Sequence, residues 1–245
     1  MGRNTDSLIR EHKIDRARVV SIPRGVDLSK FDPEVLRPDR VEALRTVWRI
    51  APNEPRLVLL LAGRLTRWKG QAFMLRALAR RKAEAGRDDV LLVLAGDDQG
   101  RQGYLDELDS LVAEHDLAAA VRLVGHVEDM PAAYLVADAA LAPSLDPEAF
   151  GRTAVEPQAM GRPVLAADHG AVRETVADGT TGFRVAPGDE GAWIAALDRL
   201  VDLGGEGRAA MGAAGLARAR VLYSLQRMTD LTLDAYCRVL EGRDR

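Results

Sequence analysis

Cysteine occurs once in the 245 residues, as Cys237, which excludes an internal disulfide framework and suits a reducing compartment. Histidine is almost as scarce, and His12, His115, His126 and His169 show no metal-ligand spacing, so no zinc site is expected. Aromatic residues make up only 4% of the chain, so a core has to be built from Ala, Leu and Val. The longest apolar runs, at residues 57–62 and 90–95, fall far short of the roughly 20 residues that span a bilayer. The opening MGRNTDSLIR is polar and lacks the apolar centre of a signal peptide. A net charge of −3 excludes the basic balance of a general nucleic-acid binder. Lysine is rare too: of 34 basic residues only Lys13, Lys30, Lys69 and Lys82 are lysines, which makes each position informative.

What is present is a chain with 47% apolar and 29% charged residues, enough to build a packed core. Continuous apolar runs at residues 18–23, 56–62, 90–95, 121–124, 139–142 and 163–166 read as buried strands. Amphipathic segments at 71–85, 104–116, 131–136 and 153–160 separate most of them, and a short helix is expected at 40–48. Helices between buried strands imply right-handed crossovers and a doubly wound parallel sheet. After Gly188 three helices follow, at 190–203, 208–222 and 225–240, parted by a break at Gly204, Gly205 and Gly207 and by Ser224 as a cap. No linker divides the chain, so a single core is expected.

Four turns carry the chemistry. Gly63, Arg64 and Lys69 lie where a strand ends and a helix begins, the place where open α/β sheets bind ligands and helix starts attract anions. Two cations five residues apart suit a diphosphate, or else a solvated turn. Glu148 and Glu156 flank Phe150, Gly151 and Arg152; a loop carboxylate and a helix carboxylate suit sugar hydroxyls, as much as the ordinary acidic bias of a helix start. The turn at 125–131, with Val127 and Asp129, opens a helix at Pro131. The stretches 167–174 and 178–182 read as loops and turns. Gly96, Gly100 and Gly103 miss the dinucleotide spacing, and Gly63 to Gly70 is no NTPase P-loop. Trp48, Trp68 and Trp193 are expected to be packing residues, and His115 and Cys237 bystanders.

Taken in order, IPRGVDLSKF, AGRLTRWKG, VLAGDDQGR, VGHVEDMPAAY, PEAFGRTAVEPQAMGRPV and DGTTGFRVAPGD resemble the C-terminal, donor-binding half of retaining glycosyltransferases of family 4. The resemblance covers nearly the whole chain. It implies a Rossmann-like doubly wound sheet with extra C-terminal helices, one half of a GT-B fold. Residues 1–55 would be a connecting segment, 56–222 the nucleotide-sugar-binding domain, and 223–245 a helix crossing to an N-terminal domain. Carried over, Arg64 and Lys69 match the pair that neutralises the donor diphosphate. Glu148 would contact hydroxyls of the transferred sugar and Glu156 the nucleotide ribose. Gly63, Phe150, Gly151 and Arg152 would line the sugar and phosphate, and Val127 and Asp129 the base.

The resemblance implies transfer of a sugar with retention, in cell-envelope or polysaccharide biosynthesis, by a cytoplasmic protein able to sit at the inner face of the membrane. The donor would be a UDP- or GDP-sugar, with Asp129 able to accept from guanine N–H groups. No metal or other cofactor is expected, since cations and helix N–H groups stabilise the leaving diphosphate. The family's acceptor-binding N-terminal domain is expected to be absent from these residues, leaving an apolar face on the last helix free for self-association. A non-catalytic nucleotide-sugar-binding fragment is the alternative. Ala171, where many members have a second glycine, and Pro157, after Glu156, depart from the pattern; the proline is tolerable only near the first helical turn.

Overall fold

The computed structural model describes residues 9–243. Most of the polar opening stretch, residues 1–8, lies outside them, as do residues 244–245 of the last segment. Six strands, β1 (Leu57–Ala62), β2 (Val90–Ala95), β3 (Val121–Gly125), β4 (Ala139–Ala142), β5 (Val164–Ala167) and β6 (Gly182–Val185), form one parallel sheet in the order β3-β2-β1-β4-β5-β6. The chain winds outward from β1 to β3, then crosses back to place β4 on the other side of β1. That reversal opens a crevice beyond the carboxyl ends of β1 and β4. The doubly wound α/β fold expected from the alternating pattern is the one found.

Alternation along β1 explains the layering. Val58 and Leu60 belong to one apolar cluster with Tyr134, Val136 and Val155, while Leu59 and Leu61 belong to another with Phe73, Leu108, Trp193 and Leu197. A helical stretch at residues 9–12 (α1) precedes the body. The first cluster is covered by α2 (Pro38–Val47), α5 (Met130–Val136) and α6 (Arg152–Ala159). The second is covered by α3 (Gln71–Ala85), α4 (Gln102–Glu114) and α8 (Glu190–Asp202). With so few aromatics, Leu and Val carry the burial at roughly 1.5–3 kcal/mol for each fully buried side chain. Trp193 is the largest fully buried one, set edge-on to Phe73 at 6.0 Å with its indole N–H donating to the Ala186 carbonyl.

Four expectations need correcting. Residues 18–23 form no strand: Arg16–Arg18 is a 3₁₀ turn, and Val20 is exposed. The run finds no ladder partner, because the sheet ends at β3 and β6. A single bridge from Val26 to Ser224 is all that pairs nearby, with Val26 N–H donating to Tyr223 O at 2.7 Å. Conversely, no strand is expected after residue 166, yet the turn at 178–182 leads straight into β6, whose Gly-Phe-Arg-Val is not the continuous apolar run that marks the other strands. The glycine break is one residue, Gly204, with φ at 66°; it opens α9 (Gly204–Leu222), so Gly205 and Gly207 are helical. Pro157 is the sixth residue of the eight in α6, beyond the first turn. Lacking an N–H, it leaves the Thr153 carbonyl four residues back without its helical donor.

After α7 (Val172–Thr175) and α9, the last helix α10 (Leu225–Arg243) begins at the predicted cap, where Ser224 Oγ accepts from Arg227 N–H at 3.0 Å. Its residues Leu233, Tyr236, Val239 and Leu240 are exposed.

Candidate functional site

The carboxyl ends of β1, β2 and β3 and the starts of α5 and α6 enclose a cavity of about 550 Å³. Gly63, Arg64, Lys69, Val127, Arg152 and Glu156 line it, together with Gly96, His126, Tyr134 and Thr153. Six of the sequence-predicted positions therefore converge on one space, although they come from three separate turns. Glu148 touches it through Lys69.

Arg64 is anchored by its backbone alone. The fully buried Gln71 donates to the Arg64 carbonyl at 3.0 Å, and Tyr104 OH in turn donates to Gln71 at 3.3 Å. Among the described residues no hydrogen bond or ion pair reaches the Arg64 guanidinium, which stands exposed at the rim. An unpaired cation with a fixed stem is suited to an external anion.

Lys69 differs. Its ammonium sits 2.7 Å from Glu148 Oε1 and 4.4 Å above the centroid of the Trp68 ring. Both members of the pair are largely buried, at 12% and 13% side-chain exposure. Trp68, expected as a packing residue, is half-buried and also offers its ring face to the Lys69 ammonium. Glu148 Oε1 also accepts from Ser144 Oγ, and its backbone carbonyl accepts from Ala171 N–H at 3.0 Å. Gly170, with φ at 55°, lies so close that a Cβ there would meet Glu148 O at 2.6 Å, so the 168–171 loop needs glycine at that point. Ala171, at the next position, supplies the N–H that holds the Glu148 carbonyl.

Glu156 projects from α6 into the floor of the cavity. It accepts from Arg152 Nε at 2.7 Å and from Tyr134 OH at 3.2 Å. Burial holds its carboxyl above the ordinary value of 4.5, and Arg152 and Tyr134 offset part of that rise. Burial and the Glu156 charge push the Tyr134 phenol well above its usual range, so it stays a donor. Phe150 packs edge-on against Tyr223 at 6.2 Å, and Gly151 caps α6.

Asp129 is placed elsewhere. Its two oxygens accept from Arg40 at 2.6 and 2.8 Å, and Oδ1 also caps α5 through Ala132 N–H at 3.2 Å. The pair holds the carboxyl below its ordinary value, with the Arg40 hydrogen bond as the main cause. The carboxylate is committed to α2 and is not among the groups lining the cavity, so it is not the free guanine acceptor the sequence suggested. Sequence reading also missed Tyr134, Ser144 and Gly96. Tyr134 and Gly96 lie inside motifs singled out for other residues, whereas Ser144 lies just ahead of one. Tyr134 meets Glu156, 22 residues on, and the Ser144 carbonyl meets His169, 25 residues on, which the local pattern does not reveal.

The sequence profile of the glycosyl transferases group 1 matches residues 45–218. The chain belongs to the group 1 glycosyl transferases. Among its relatives, D-inositol 3-phosphate glycosyltransferase of Geodermatophilus obscurus is 33% identical over 239 residues, covering 96% of this chain and 50% of that protein. A glycosyltransferase structure from Rickettsia africae superposes with a TM-score of 0.89 at 28% identity, covering 97% of this chain and 62% of that one. Anabaena HepE in complex with UDP matches with a TM-score of 0.83 at 25% identity, over 95% of this chain and 61% of that one. This group 1 chain therefore spans about half the length of the curated relatives it matches. No helix among its described residues is long and apolar enough to cross a membrane.

Proposed function

We propose that the chain is the donor-binding half of a retaining, family 4 glycosyltransferase of GT-B architecture, serving cell-envelope or polysaccharide biosynthesis. The observation that carries the reading is the unpaired Arg64 beside the Lys69–Glu148 pair, at a cavity floored by Glu156 and the start of α6. A nucleotide diphosphate would place its phosphates at Arg64, Lys69 and the first N–H groups of α6, its ribose at Glu156 and its sugar at Glu148. When the C1–O bond to the diphosphate breaks, its electron pair goes to the phosphate oxygen. Preorganised cations stabilise that charge as it forms, doing the work a divalent metal does elsewhere. The acceptor oxygen then bonds to C1 on the same face and passes its proton to the departing phosphate. Glu148 positions the sugar and forms no covalent bond, so the two-carboxylate logic of hydrolases does not apply.

HepE, a relative in structure, has been crystallised with UDP and with UDP-glucose, and UDP is the nucleotide this reading favours. With both Asp129 oxygens occupied by Arg40, that carboxylate is not the free acceptor a guanine base would need there. Calorimetric titration tests the site. UDP is expected to bind saturably and more tightly than GDP, and Arg64→Ala to weaken UDP by about tenfold or more, the loss of a charge-assisted contact. Equal affinity in both proteins, or no binding in either, overturns the assignment.

A second reading, a nucleotide-sugar-binding fragment without activity of its own, draws on the chain spanning about half of its relatives. Sugar transfer by the isolated chain to candidate acceptors would overturn it; donor binding without turnover would support it. Either way, the exposed apolar side chains of α10 are expected to drive self-association. Sedimentation velocity should show the average mass rising with concentration, and a strictly monomeric profile contradicts this.

A further inference from the structure

We propose that Ser144 and His169 are positioning residues that keep Glu148 in place once Lys69 turns to the donor diphosphate. The proposal rests on the donor-binding reading above.

Two donors share one oxygen. Glu148 Oε1 accepts from both Ser144 Oγ and Lys69 Nζ, while no hydrogen bond reaches Oε2 among the described residues. Oε2 is therefore the acceptor left for a sugar hydroxyl. The two donors differ in stiffness. The lysine ammonium ends a flexible four-carbon stem, and an arriving diphosphate competes with Glu148 for its charge. Held by Lys69 alone, the carboxylate would be drawn along with the ammonium or repelled by the phosphates.

Ser144 has no such freedom. It is 4% exposed, follows directly on β4 and Pro143, and has its carbonyl 2.8 Å from His169 Nε2. The next residue, Leu145, donates its N–H to the Trp68 carbonyl at 2.7 Å, tying this loop to the one after β1. His169 belongs to the loop that also clamps the Glu148 backbone through Gly170 and Ala171. One short loop thus fixes both Glu148 and the serine that orients it. A serine hydroxyl carries no charge, so it holds the carboxylate without competing for the diphosphate.

The test compares UDP with a UDP-sugar in the same protein. The probe is whichever of UDP-glucose, UDP-galactose and UDP-N-acetylglucosamine binds the wild type most tightly. Ser144→Ala is expected to leave the Kd for UDP within about twofold. The UDP-sugar to UDP affinity ratio should fall about tenfold, or ~1.4 kcal/mol. His169→Gln should lower the ratio by a smaller factor. In a Glu148→Ala background, Ser144→Ala should have no further effect, because the serine acts through that carboxylate. A loosened or misfolded variant would lose UDP and UDP-sugar together, and that outcome counts against positioning. An unchanged ratio in Ser144→Ala overturns the proposal, as does an undiminished effect without Glu148. Failure of the wild type to bind UDP would overturn the donor-binding reading instead.

Discussion

Lys69→Met is expected to remove nucleotide binding and to lower stability in the same variant. The affinity loss should exceed that of Arg64→Ala, reaching about 100-fold, because two charges change at once. The cation that meets the diphosphate disappears, and Glu148 is left as an uncompensated anion beside it. Removing one partner of a fully buried ion pair costs ~3–5 kcal/mol. With 12% and 13% of these side chains still exposed, and Ser144 Oγ still donating to Glu148, about 1–2 kcal/mol is the expected loss. The double variant Lys69→Met/Glu148→Gln separates the two effects: stability should return, since no buried charge remains, while UDP affinity should not. Urea denaturation and UDP titration of the three proteins check this. Full recovery of binding in the double variant would mean that Lys69 serves only to neutralise Glu148.

Glu156→Gln should act in opposite directions on stability and on binding. Burial holds the Glu156 carboxyl above its ordinary value of 4.5 in the folded protein, so the fold binds that proton more tightly than the unfolded chain does. The stability this group contributes is therefore fully present below about 4.5 and is lost as pH rises through the folded value. At neutral pH the wild type holds a buried charge that glutamine does not carry. Glutamine can still accept from Tyr134 OH, and Arg152, 68% exposed, loses little in losing its partner. The variant is expected to be more stable than wild type by about 1 kcal/mol at pH 8 and to lose that advantage near pH 4.5. Its affinity for UDP should fall about tenfold if the carboxylate meets the ribose. Denaturation midpoints that differ by the same amount at both pH values would contradict the linkage.

The parts of the fold that were plain in the sequence are those whose signal is local. β1 and β2 are unbroken six-residue apolar runs, and every position in them is buried; α3 begins and ends where its periodicity does. Residues 18–23 carry Val19, Val20 and Ile22 yet stay half-buried or exposed and unpaired, because pairing depends on what lies alongside and not on the run itself. β6 fails for the complementary reason: β4 and β5 are as short but wholly apolar, whereas Gly182 and Arg184 interrupt the run in β6. At the site, position was legible and partnership was not. Arg64, Lys69, Glu148 and Glu156 stand out because strand ends and helix starts can be read from the chain. That Lys69 pairs with Glu148, 79 residues away, and Asp129 with Arg40, 89 residues away, comes from the crossover that brings separate turns together. The same holds for Tyr134 beneath Glu156. Those pairings decide which charges remain for a ligand.

Titration of UDP followed through the backbone amide resonances of the isotope-labelled chain tests the central claim most directly. Saturable shifts are expected at Gly63, Gly96, Val127, Arg152 and Thr153, the residues around the cavity, with Ser29 and Lys30 on the far side of the Arg40–Asp129 pair unmoved. The absence of saturable shifts, or shifts confined to residues outside that cavity, would contradict a nucleotide-diphosphate site at the carboxyl ends of these strands.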